Sequence, residues 1–250
     1  KGTGSKDRGS GMHKTGVSVI TITGDRPEAF GLCAQYVQRQ CFDGLIQWIV
    51  VDDGVDCISL PAEMITGFTI AHMMPMNDVS ICRNMKKALS LCEFDQIVIM
   101  KDDDWYHPFH VEYLSSALNS SDLVGNSFGR YYNISEMKFK SEEKEYPSFG
   151  RTGFNISVVP TLIDLLEVDW KDLETRLWGS IYRQSKNEGS DLNCRIIKAD
   201  TVISMDGMPG RRNAGHQDES IFSFEDDPDG CVLREWIGSD ADLYNAYLGF

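Results

Sequence analysis

Three stretches of this chain are apolar or β-branched at nearly every position and end in acids, which narrows the folds open to it. Val17-Ser18-Val19-Ile20-Thr21-Ile22-Thr23 breaks at Gly24-Asp25-Arg26-Pro27, and Gln47-Trp48-Ile49-Val50-Val51 breaks at Asp52-Asp53-Gly54. Gln96-Ile97-Val98-Ile99-Met100-Lys101 runs into Asp102-Asp103-Asp104. Strands without polar alternation are buried on both faces, as in a mostly parallel sheet with helices on each side. The segments between them fit that scheme. Pro27 suits a first helical turn with Asp25 as N-cap, and the helix runs from about Glu28 to Gln40 with Phe30, Cys33, Ala34 and Val37 on one face. Phe68 to Ala71 reads as a weak strand. Asn77 to Leu91 reads as a helix with Ile81, Met85, Ala88, Leu89 and Cys92 at core spacing and Arg83 on another face. Ligands in such sheets sit beyond the carboxyl ends of the strands. One acidic turn there is an ordinary cap; three on the same edge point to a site.

The 250 residues make one full-sized α/β domain. Lys1 to Gly11 reads as an expression-tag remnant, with Met12 as the natural start. The net charge of −14 disfavours a broad nucleic-acid-binding face, though not a local basic patch. Seven cysteines without zinc-site spacing read as reduced thiols of a cytoplasmic protein, and the Asn-x-Ser matches at Asn119, Asn133 and Asn155 as chance. No apolar run reaches membrane-spanning length. The first strand lacks a Gly-x-Gly-x-x-Gly turn and the chain has no Gly-x-x-x-x-Gly-Lys-Ser/Thr, so dinucleotide and P-loop folds are set aside.

The order of features resembles the family-2 glycosyltransferases, with the GT-A fold. The resemblance rests on Val17 to Pro27, Ile49-Val50-Val51-Asp52-Asp53-Gly54, Arg83-Asn84, and Met100-Lys101-Asp102-Asp103-Asp104 before Pro108, and covers roughly the first half. Thr-Gly-Asp-Arg stands where the family commonly has Thr-Tyr-Asn-Arg, and a lysine precedes the acids. The resemblance implies a single GT-A-type α/β domain, with a nucleotide-sugar-binding half at 12–120 and an acceptor-binding, closing half at 121–250. It implies that Asp53 holds the nucleobase, with Thr23 and Asp25 nearby, and that Asp102 takes the ribose. Arg26 and Arg83 are candidates for the phosphates or base, against the plainer reading of ion pairs with this acidic edge. Mn²⁺ or Mg²⁺ suits hard carboxylates at a diphosphate. Strand alternation puts Asp102 and Asp104 on one side, whereas counting back from Pro108 in the family pattern gives the metal to Asp103; Asp103 and Asp104 both stand as candidates.

Beyond residue 108, His110 to Leu118 and Pro160 to Val168 read as helices, Asp122 to Phe128 as a strand, and 130–150 as a hairpin or mobile insertion. Thr152-Gly153-Phe154-Asn155 reads as a turn where an acceptor approaches backbone. Trp170 to Arg183 is helical, and Leu173-Glu174-Thr175-Arg176-Leu177-Trp178 fits the family's base motif with Glu174 as base, its first acid replaced by leucine. Asp172 and Asp191 compete for that role, and an amphipathic surface glutamate is the bland alternative. Cys194 to Ile197 and Thr201 to Met205 are strand-like. Gly207 to His216 reads as a loop closing over anions, with Arg211 or Arg212 on the diphosphate and His216 on the metal. That segment is loosely similar to small phage-encoded glycosyltransferases, some acting on hydroxymethylated DNA bases. Val232 to Leu248 reads as an amphipathic tail packed on the body.

These features point to a metal-dependent, inverting transferase of a nucleotide diphosphate sugar, UDP-sugar favoured, onto a hydroxyl of a glycan or a hydroxymethylated DNA base. A nucleotidyltransferase would share the strand-end acids but would carry a glycine- and lysine-rich first loop. A non-catalytic protein keeping the fold is the third alternative.

Overall fold

The computed structural model describes residues 16–58, 68–75, 80–168, 172–185, 192–210 and 224–248. The proposed tag with Met12, the helix start at Asn77, Trp170, Asp191, Arg211, Arg212 and His216 lie outside them. In chain order the elements begin with β1 (Gly16–Thr23), α1 (Pro27–Gln38), β2 (Leu45–Asp52), β3 (Phe68–His72), α2 (Ser80–Leu89) and β4 (Gln96–Ile99). Next come β5 (Trp105–Tyr106), α3 (His110–Leu118), β6 (Leu123–Gly125), β7 (Phe128–Asn133), β8 (Lys138–Glu143) and β9 (Thr152–Asn155). The chain continues with α4 (Val159–Leu166), α5 (Leu173–Ser185), β10 (Cys194–Ile196), β11 (Val202–Asp206), β12 (Glu225–Asp226) and α6 (Cys231–Ile237).

Seven strands form the main sheet in the order β10-β6-β9-β4-β1-β2-β3. The β4-β1-β2-β3 half is parallel, and β9 runs antiparallel to both its neighbours. The unalternating strands are explained by burial on both faces. Val17, Val19, Trp48, Val50, Val98 and Met100 meet α1 and α3, while Ile20, Ile49, Val51, Ile97 and Ile99 meet α2, α4 and α5. Trp48 ties the first layer together: it is fully buried, lies 5.5 Å from the Phe30 ring and donates its Nε1–H to Thr21 Oγ1 at 3.0 Å. Trp48→Ala is expected to cost about 3–5 kcal/mol in urea unfolding, the range for emptying an aromatic core site.

Four strands from the second half of the chain join β5 in a smaller sheet, β12-β8-β7-β11-β5. It is this sheet, with the turns around it, that makes the C-terminal elaboration. Four local expectations change. Thr152 to Asn155 is no surface turn but β9, buried between β4 and β6, because Gly153 lets the chain pass against Leu118 and the Ile97 carbonyl. The strand expected from Asp122 to Phe128 stops at Gly125, where Asn126 turns the chain by donating to the Ala199 carbonyl and accepting from the Phe128 N–H. In α2, Cys82 faces the core and Ile81 is exposed. Asp25 does not cap α1; the cap position is Arg26, and Asp25 has a left-handed backbone with φ 54°. Residues 128–143 do form the hairpin, and the tail does pack: Tyr244 is buried with its hydroxyl 2.8 Å from that of Tyr36.

His110, in the first turn of α3, is buried with Nδ1 2.8 Å from Thr201 Oγ1 and its ring 4.9 Å from that of Tyr106. Burial, reinforced by Arg151 and His107, pushes its pKa down from 6.5 to about 3. A depressed folded-state pKa means that His110 contributes stability above pH 6.5, lost as pH falls toward 3. The loss amounts to a few kcal/mol, at 1.36 kcal/mol per unit. Asp102, raised by burial to about 6, acts with the opposite sign as pH rises from about 4 to 6. His110→Asn is therefore expected to flatten the acid limb of stability against pH, measured by urea unfolding between pH 4 and 7.

Candidate active site

Strand register assembles the site. β1 pairs with β4 so that Ile20 faces Ile99, which brings the residues three further on, Thr23 and Asp102, side by side. Thr23 Oγ1 donates to Asp102 Oδ2 at 2.8 Å. β1 pairs with β2 so that Thr23 faces Asp52, and the next residue, Asp53, donates its N–H to the Thr23 carbonyl at 3.1 Å. The three acidic strand ends therefore converge at one edge.

The triple aspartate is buried at all three positions. Arg26 forks across the first two, Nη1 to Asp102 Oδ1 at 3.0 Å and Nη2 to Asp103 Oδ2 at 2.9 Å. Lys101 Nζ lies 3.3 Å from Asp103 Oδ1 and 3.8 Å from Asp104 Oδ1. The expected alternation fails because β4 ends at Ile99 and the acids follow in bends, so neighbours Asp102 and Asp103 converge. Asp104 instead turns to β11, accepting the Met205 N–H at 3.3 Å. Burial raises Asp102 against the Arg26 guanidinium. Burial works to lower Lys101, but Asp103, Asp104 and Glu174 outweigh it and hold the ammonium up. Two cations among three carboxylates leave one negative charge, and all the side-chain oxygens are hard donors of the kind Mg²⁺ or Mn²⁺ takes.

Asp53, with no exposed surface, accepts from Asn84 Nδ2 at 2.9 Å and has Arg83 Nη2 at 3.8 Å. Arg83 Nε and Nη2 in turn donate to Asn84 Oδ1, so α2 clamps the acid through Arg83-Asn84. Asp25 Oδ1 accepts the N–H groups of Val55 and Asp56, binding the first strand-end loop to the second. Gly210, at φ 108°, lies against the same corner: a Cβ there would sit 2.5 Å from the Asp25 carbonyl oxygen. Asp52 supports the second loop through the Gly54 and Ile58 N–H groups, and its carboxylate, Cys57 and His72 bring three ligand-type atoms within 4.8 Å of one another.

Glu174 stands in the first turn of α5, anchored by buried Leu177, Trp178 and Ile181. Its Oε1 accepts the Phe149 N–H at 2.6 Å. Burial raises its pKa, against the Phe149 N–H and the charges of Lys101, Lys144 and Arg151. The 3-10 turn Phe149–Arg151 connects Glu174 to the aspartates: a Cβ on Gly150 would lie 2.7 Å from Asp104 Oδ2 and 3.0 Å from the Tyr106 hydroxyl. Only a glycine lets backbone run this close to the acids. Of the competing bases, Asp172 is exposed with φ 53° and caps α5 by its carbonyl, which accepts the Arg176 N–H. Asn84, Lys101, Tyr106 and Gly150 were not singled out as site residues by sequence; Asn84 beside Arg83 and the lysine at the head of the acids were the available signals.

No protein-family model matches the chain, and comparison with curated proteins gives no match. Solved structures do. TarS 1-349 of S. aureus superposes with a TM-score of 0.52 at 10% identity, over 76% of this chain and 60% of that one. Its complex with UDP-GlcNAc gives a TM-score of 0.52 at 10% identity, over 83% and 62%. Its complex with UDP gives 0.51 at 12%, over 76% and 60%. The chain thus spans about three fifths of the TarS 1-349 chains it matches. The likeness is one of fold, and the fold is GT-A-like.

Proposed function

We propose that this chain is a glycosyltransferase that moves a sugar from a nucleotide diphosphate donor, UDP-sugar favoured, to an acceptor hydroxyl, by single displacement with inversion. The observation that carries it is the convergence of Thr23, Asp53 and Asp102 at one sheet edge, joined to Glu174 by the Phe149–Arg151 turn. UDP and UDP-GlcNAc complexes of TarS, which shares the fold, support this donor class.

In this proposal Asp53, clamped by Asn84, accepts from the nucleobase, and Asp102 takes the ribose. Asp103 is the favoured metal ligand, since Asp104 is engaged with the β11 backbone. A bound Mn²⁺ or Mg²⁺ would supply positive charge to the departing diphosphate. Arg26 holds the two carboxylates together and offers a guanidinium to the phosphates. Glu174, raised by burial, takes the acceptor's proton. The acceptor is a glycan or a hydroxymethylated DNA base. None of the seven cysteines is in a disulfide, which supports a cytoplasmic setting. Among the described residues no helix is long and apolar enough to cross a membrane.

The test is thermal shift with UDP, GDP and dTDP, each with and without Mn²⁺, followed by hydrolysis of the matching sugar nucleotides. Metal-dependent stabilisation by one nucleotide is the expected result; no response to any would end this proposal.

A further inference from the structure

Three cations gather round one tyrosine ring. Lys140 Nζ lies 5.1 Å, Lys144 Nζ 4.8 Å and Arg151 Cζ 5.0 Å from the centroid of Tyr131. The hairpin builds this cluster: Tyr131 on β7 faces Lys140 on β8, and the Lys144 N–H closes the hairpin's end onto the Ser127 carbonyl. Glu142 lies 3.5 Å from Lys140 and 3.4 Å from Lys144, holding the two ammonium groups side by side. Arg151 is buried, and its hydrogen bonds go to neutral oxygens: Ser148 Oγ, the Arg130 carbonyl and the Val202 carbonyl. It closes the turn whose first residue is held by Glu174, and Lys144 and Arg151 both act electrostatically on that carboxylate.

A tyrosine ring crowded by cations is a poor stacking platform for a base or a sugar. What this cluster suits is an anion. In a chain of net charge −14, an anionic substrate is repelled by most of the surface, so a compact basic patch decides where it can rest. We propose that Lys140, Lys144 and Arg151 around Tyr131 form an acceptor subsite for a phosphate group, so that the acceptor is phosphodiester-bearing and not a neutral glycan. This rests on the transferase proposal, with Glu174 marking the acceptor side. Three cations match one or two phosphates, a footprint compatible with the acidic composition.

The experiment compares wild type, Lys140→Gln/Lys144→Gln and Lys140→Arg/Lys144→Arg. Three acceptors are used: a short single-stranded oligonucleotide with a hydroxymethylated pyrimidine, a glycerol phosphodiester, and neutral maltotriose. KM for a phosphodiester acceptor is expected to rise about tenfold per lysine lost, with kcat little changed and recovery in the arginine pair. Which phosphodiester responds identifies its source. Unchanged KM in the glutamine pair, or wild-type preference for maltotriose, overturns the proposal. Fluorescence anisotropy of the labelled oligonucleotide is run alongside, since it needs no turnover. Wild-type binding should weaken with salt at a slope of about −1, roughly 0.7 for each of the one or two phosphates neutralised, and should be lost in the glutamine pair. If UDP neither binds nor is released but this anisotropy result holds, the transferase proposal fails and the phosphate subsite stands. Equal binding by wild type and the glutamine pair overturns the subsite itself.

Discussion

Glu174→Gln is expected to lower the transfer rate by about 10²–10⁴-fold, the usual contribution of a general base, while UDP binding stays at the wild-type level. The amide keeps a carbonyl oxygen for the Phe149 N–H, which Glu174 Oε1 accepts at 2.6 Å, so the turn over the aspartates should survive the change. What is lost is the proposed proton acceptor. The same residue predicts a pH dependence. Burial holds its pKa above the ordinary glutamate value, and the base works only when ionised, so wild-type kcat should fall as pH drops through that raised pKa. The measurement is steady-state transfer from pH 5 to 8 with a UDP thermal shift on the same samples. Full transfer by the glutamine variant would remove Glu174 from the chemistry; loss of UDP binding would make it structural.

Asp103→Asn should abolish the Mn²⁺-dependent part of the nucleotide thermal shift and cut transfer by about 10³-fold. That corresponds to several kcal/mol of charge stabilisation at the diphosphate. Asparagine keeps an oxygen for Arg26 Nη2, which lies 2.9 Å from Asp103 Oδ2, so the fork across Asp102 and Asp103 can persist. Asp103 also pairs with Arg26 and Lys101, so the nucleotide-free protein is expected to lose some stability, and the metal effect is read as the difference between the shifts with and without Mn²⁺. Asp104→Asn is the comparison, and its effect on the metal-dependent shift should be smaller, because Asp104 is engaged with the Met205 N–H on β11. If Asp104→Asn loses the shift and Asp103→Asn keeps it, the metal role passes to Asp104. If neither alters it, no metal sits among these acids.

Much of the first half of the fold was legible in the chain itself. The β-branched run from Val17 to Thr23 and the proline at 27 are local signals, and they yielded β1 and α1 nearly to the residue. The acid-ended strands announced the edge where the carboxylates converge. Glu174 was readable as the acid opening a helix whose Leu177 and Trp178 face inward. Thr152 to Asn155 misled because four residues containing a glycine look like a turn unless the two strands flanking them are known. Asp25 misled in a similar way: its position before Pro27 matches a cap, but its partners are the N–H groups of Val55 and Asp56, thirty residues on.

By itself, then, the sequence determined which segments are strands buried on both faces, where they stop, and that carboxylates stand at those stops. These follow from short-range preferences and hydrophobic pattern. The tertiary structure alone decided the partners. Thr23 meets Asp102 across 79 residues because of strand register. Arg26 and Lys101 share the three acids because burial there makes unpaired charge costly. Tyr131 gathers its cations because a hairpin and a 3-10 turn close on one another. Register, desolvation and the meeting of distant loops are properties of the packed chain, and no local stretch of residues encodes them.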